Sequence, residues 1–157
     1  MNNSKTLQQL LREQLEGENA HVSFQKSVRG LTFNQSGIKV ERLPHTIWQL
    51  IEHIRLAQKD ILLFCKNENY QTPNWPDDYW PDANQPDSKE EYERAIQAVK
   101  SGRETMLSWV SDPEKDPQKI FPFGNGQTLF REALLIVDHN SYHIGQIVQL
   151  RRLIGCW

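Results

Sequence analysis

Apolar residues recur at helical spacing in four main stretches of this chain, and clusters of Gly, Pro and Asn separate them. Leu7, Leu10, Leu11 and Leu15 predict a first amphipathic helix. After Gly17-Glu18-Asn19 the spacing resumes at Ala20, Phe24 and Val28, which fits one bent helix or two short ones. The stretch from Gly30 to Leu43, with Gly37 inside it and Pro44 behind it, reads as a loop. A second helix opens in the Pro44 region and runs to about Asn67 on the stripe Leu50, Ile54, Ala57 and Ile61. The connection TPNWPDDYWPDANQPD cannot be helical through Pro73, Pro76, Pro81 and Pro86. Ser88-Lys-Glu-Glu91 then matches a capping box, and Tyr92, Ile96, Val99, Met106 and Val110 give a third helix that stops at Asp112-Pro113.

Turns around Gly124-Asn-Gly126 lead into a fourth helix, whose stripe is Leu129, Ile136, His139, His143, Ile147, Leu150 and Ile154. Strand-type alternation is nearly absent, apart from a short extended piece near Ile120-Phe121. Four helices of bundle length predict an all-α four-helix bundle, and the long connection suits a crossover loop between helices two and three.

Composition narrows the function classes. With 157 residues, 38% apolar and 24% charged, the chain has the size of one domain spanning residues 1–157 with a core of its own. A net charge of −2 and scattered Lys and Arg leave no electrostatic footprint for nucleic acid. No segment approaches a membrane span, and the N-terminal stretch lacks an apolar core of signal-peptide length, so a cytoplasmic protein without a membrane partner is expected. Cys65 and Cys156 lie far apart with no CxxC spacing, which indicates neither a disulfide framework nor a cysteine zinc site. Neither a G-x-S-x-G elbow nor a glycine-rich phosphate loop occurs.

The chemistry that remains lies in the histidines. His139 and His143 are four residues apart, so one helical turn puts both imidazoles on one face, at positions where a bundle buries aliphatic side chains. Two converging lone pairs make a half-site for a divalent metal, and sites that do chemistry commonly use three protein ligands. His53, in mid-helix and one position before the stripe residue Ile54, is the best third candidate. His45 lies roughly 12 Å earlier along a helix axis at 1.5 Å per residue and is not expected to share the ion. His21 is expected to line the cavity or pack. The alternative, a pair of core histidines satisfied by hydrogen bonds alone, stays open on spacing. Gln146, one turn beyond His143, is expected either to contact a metal-bound water or substrate or to be a satisfied core amide.

The segment His139-Asn-Ser-Tyr-His143-Ile-Gly-Gln146, followed by Ile-Val-Gln-Leu-Arg-Arg-Leu, closely resembles the C-terminal helix motif of the DinB-like (DinB/YfiT) superfamily. Trp48-Gln-Leu-Ile-Glu-His53-Ile-Arg resembles that family's first-ligand helix. With Gly126-Gln-Thr128 and the Trp-Pro-rich loop, the similarity spans nearly the whole chain. The resemblance implies a four-helix bundle with one divalent metal bound by three histidines, which fall here on His53, His139 and His143. It also implies a family of thiol-dependent transferases and isomerases alongside described hydrolases.

Three imidazoles accept zinc or nickel first, with iron or manganese as alternatives. A metal-held low-molecular-weight thiol is already a competent nucleophile, whereas hydrolysis lacks an adjoining Glu of the HExxH kind; S-transfer on a small-molecule substrate is therefore slightly favoured. A hydrolase, or a non-catalytic metal-binding or dimeric interaction module, is the alternative. The loop aromatics Trp75, Tyr79 and Trp80 are expected to roof a pocket mouth or pack a dimer surface, and a homodimer is expected.

Overall fold

The structure is a computed structural model that describes residues 3–17 and 19–157. Among the described residues the chain is all-helical, without a strand. Its helices are α1 (Asn3–Glu16), α2 (Phe24–Val28), α3 (Phe33–Ser36), α4 (Ile47–Lys66), α5 (Lys89–Ser111) and α6 (Leu129–Leu153), with one 3-10 turn at Asp77–Tyr79. The four long helices form the bundle. α4 packs against both α5 and α6, and α1 closes the other side between them.

The first helical region resolves into two pieces. α1 ends before Gly17, whose φ of 79° breaks the helix, and Glu18 lies outside the described residues. α2 starts afresh with Ser23 as its N-cap and packs on α6 further along the same column. Leu11 and Leu15 are buried as expected, but Leu10 is 52% exposed and the break leaves Ala20 in solvent. The expected loop 30–43 also holds a helix, α3, which is too short to show periodicity. Its signal is a capping box, in which Thr32 accepts from Gln35 N and Gln35 accepts from Thr32 N.

Helix directions follow from side chains that reach across. Gln8 near the start of α1 donates to Asp112 O and Lys115 O beyond the end of α5, so these two run antiparallel. Gln58 meets Val99 while Glu52 neighbours Glu91 and Lys66 neighbours Thr105, so α4 and α5 run parallel. A parallel pair of neighbours requires the chain to return the length of the bundle between them, and residues 67–88 are that crossover. α6 is antiparallel to α4, with His53 facing His139 and His143 and with Gln58 facing Asn140.

Caps set the helix starts. Thr46 accepts from Gln49 N, Gln49 accepts from Thr46 N, and Thr46 Oγ1 donates to Asn84 O at 2.7 Å, which ties the start of α4 to the end of the crossover. Ser88 accepts from Glu91 N, but the expected box is only half formed: Glu91 takes its bond from Asp87 N instead. The short extended piece exists as a single bridge between Ile120 and Thr128, closed over turns at Gly124 and Gly126 with φ of 76° and 90°.

The core has two apolar clusters. One gathers Ile47, Leu50, Ile51, Ile54, Ile147 and their neighbours at the end where α4 begins; the other gathers Leu11, Leu15, Ile61, Met106, Leu129 and Ile136 at the opposite end. Between Ile54 and Ile61 on α4, and between Ile136 and Ile144 on α6, the facing layer is polar and contains Gln58, His139, Asn140 and His143. The buried Gln58 is bonded at both ends of its amide. Its amide donates to Val99 O at 2.9 Å and its oxygen accepts from Asn140.

Candidate metal centre

α4 and α6 bring three histidines to one point. His53 is 1% exposed and His143 6% exposed, and one nitrogen from each of His53, His139 and His143 lies within 4.8 Å of the others. His53 Nδ1 donates to Tyr79 O at 2.8 Å, and His143 Nδ1 donates to Gln146 Oε1 at 2.7 Å. Each of these neutral rings thereby spends its single proton on an acceptor behind it. Its Nε2 lone pair is left pointing at the other histidines.

His139 Nε2 stands 3.0 Å from His53 Nε2. Because the His53 proton is on Nδ1, the proton in this contact belongs to His139, and a metal ion bound there would take its place. Two imidazole nitrogens on one zinc ion, each at about 2.0–2.1 Å, stand roughly 3.3 Å apart in tetrahedral geometry, so His53 and His139 are already close to ligand spacing, and the third nitrogen lies within 4.8 Å. Its protonation state fits as well. Burial, more than neighbouring histidines, holds the pKa of His53 and of His143 down at about 4. His139 is also lowered by burial, so all three rings are neutral at pH 7, as metal ligation requires.

The crossover builds one wall of the site. Trp80 lies flat against His53, with ring centroids 3.7 Å apart and an angle of 3°, and its opposite side carries His45 at 3.8 Å and 9°. Tyr79 is buried, and burial, with the nearby Asp60 carboxylate, raises the pKa of its hydroxyl and of the Tyr70 hydroxyl above the ordinary value. Of the loop aromatics, Trp80 covers one face of His53 and Tyr79 is buried. Trp75 is 69% exposed, edge-on to Tyr79.

The other candidates fall as follows. Gln146 is paired with His143, so its amide acts behind a ring of the cluster. His45 stands outside the three-histidine group but against its Trp80 wall, and burial lowers its pKa, with help from Lys39. His21 is exposed in the link between α1 and α2, beside Ser141 and away from the cluster. Glu52 is held by both Nε and Nη2 of Arg55, and Asp138 is exposed. Trp48 is core at 2% exposure, whereas Tyr142 is 67% exposed with its ring edge to His143. Burial pushes the Cys65 thiol up to about 12, so it stays protonated and inert.

Sequence reasoning missed the Tyr79 carbonyl and the Trp80 stack. Only the density of aromatics in the loop hinted at them, since a backbone acceptor leaves no residue-type signature.

A helical bundle with a parallel central pair and three inward-facing histidines on two antiparallel helices defines a class of protein with a candidate metal centre at its polar layer. The chain belongs to the DinB superfamily, whose family model matches residues 8–147. No curated protein and no solved structure matches the chain.

Proposed function

We propose that His53, His139 and His143 hold one divalent transition metal ion through their Nε2 atoms, and that the protein is a metal-dependent enzyme acting on a small molecule. The observation that carries this reading is the convergence of three neutral imidazoles, two of them with Nδ1 committed to Tyr79 O and Gln146 Oε1. Zinc or nickel suits such a set first, then iron or manganese. The ion would supply a lowered pKa to a bound low-molecular-weight thiol and keep it as a thiolate nucleophile. The chain's own part is to fix two rings through Tyr79 and Gln146 and to keep water off one face of His53 with Trp80.

Thiol transfer is favoured over hydrolysis because, among the described residues, no Asp or Glu joins the three-histidine group to receive a proton from water. The same reading takes the protein to be a cytoplasmic homodimer with neither nucleic acid nor membrane as partner; no described helix is long and apolar enough to cross a membrane.

Elemental mass spectrometry of the purified protein tests the centre. The expected result is about one equivalent of a transition metal, lost in His53→Ala, His139→Ala and His143→Ala and retained in His45→Ala. Equal loss in all four variants would refute the ligand set. A turnover screen with small electrophiles, run with and without added thiol, then separates the reactions, since only transfer requires the thiol. A metal-replete protein inert in every combination would point to a binding module.

A further inference from the structure

Beside the histidine cluster lies a cleft of about 280 Å³ between the chain segment before α4 and the outer side of α6. Its lining is mostly apolar, with Leu43, Pro44, Leu50 and Leu150, but it also includes His45, Tyr142 and Gln146. These three join it to the centre: Gln146 holds His143, Tyr142 lies edge-on to His143, and His45 shares the Trp80 ring with His53.

Gly145 also lines the cleft, in mid-helix. A glycine there weakens a helix relative to alanine, so its presence calls for a reason. Gly102 has one, because a Cβ at that position would stand 2.7 Å from Gln58 Nε2. At Gly145 a Cβ would meet nothing of this chain within 4 Å, and the space it leaves open is the cleft.

We propose that this cleft binds the apolar tail of a small molecule whose polar head is held at the three histidines, which makes the substrate class a compound with a metal-seeking group and a short hydrocarbon chain or ring. This rests on the metal reading above. A cavity of about 150 Å³ takes a benzene ring, so a cleft of about 280 Å³ has room for a chain of several carbons and not for a protein helix. Its nearness to the cluster selects such a tail over a separate ligand.

Alkyl hydroxamic acids, from acetohydroxamic to hexanohydroxamic acid, are the probe, titrated into zinc-loaded wild type and zinc-loaded Gly145→Leu. Wild type should tighten about two- to fourfold per methylene added. Gly145→Leu should bind acetohydroxamic acid as wild type does and gain little from a longer tail. If acetohydroxamic acid binds but length changes nothing, or if the gain survives in Gly145→Leu, the cleft proposal falls and the metal centre stands.

Should the protein take no metal, 1-hexanol titrated into it reads the cleft alone. A shift of the Gly145 amide NMR signal on titration would retain the apolar site without the metal reading, and no shift would overturn it. Sedimentation of both proteins covers the remaining occupant: a change of mass in Gly145→Leu would make this face a contact between two copies and overturn the proposal.

Discussion

A buried imidazole that gives its Nδ1 proton to a fixed acceptor has one function left, the lone pair on Nε2, and His53 and His143 are both in that position. Gln146→Ala removes the acceptor behind His143, so the ring loses its enforced tautomer. Zinc affinity, measured by competition with a chelating dye, should fall about 10- to 100-fold while the helical circular dichroism stays unchanged. Gln146→Glu, which keeps an acceptor oxygen at the same place, should retain most of that affinity.

The same burial makes the metal-free protein sensitive to acid. The unfolded chain holds these rings at the ordinary pKa of about 6.5, and the folded one holds His53 and His143 at about 4. Between those values the unfolded chain binds more protons, so their contribution to stability is full above 6.5 and is lost as the pH falls towards 4. Melting temperatures of chelator-treated protein should decline across that window, and the decline should shrink in a His53→Gln, His143→Gln double variant. At this scale the three rings were legible in the sequence because their spacing and stripe are side-chain properties. The Tyr79 carbonyl that aligns one of them was not, because every residue has a carbonyl.

At the scale of elements, the crossover both permits the parallel α4–α5 pair and lines the site, and Thr46 is the joint where it meets α4. Thr46→Ala removes the cap and the bond to Asn84 together. Urea unfolding should show a loss of about 1–2 kcal/mol. Helix existence and the α4 and α5 ends were readable from stripes and prolines. The half-formed box at Ser88 shows where such reading stops: the residues of the motif are present, yet Glu91 finds Asp87 N first. Leu10 shows another limit, since a Leu beside the buried ridge has the right spacing and still faces water.

At the scale of the whole molecule, the two apolar clusters stabilise the bundle from either side of the polar layer. Met106 is fully buried in the cluster away from the start of α4. Met106→Ala should therefore cost about 2–5 kcal/mol of unfolding free energy and leave the metal equivalents per chain unchanged by elemental mass spectrometry. The polar layer also sets the alignment of the helices. Ile and Leu recur along the buried sides of both α4 and α6, so a slide of one turn, about 5.4 Å, would still set some aliphatic side chains against one another. That slide would strand His139 and His143 among aliphatic side chains and part Asn140 from Gln58. Quite apart from any chemistry it performs, the histidine layer tells this sequence which of several similar packings is its own.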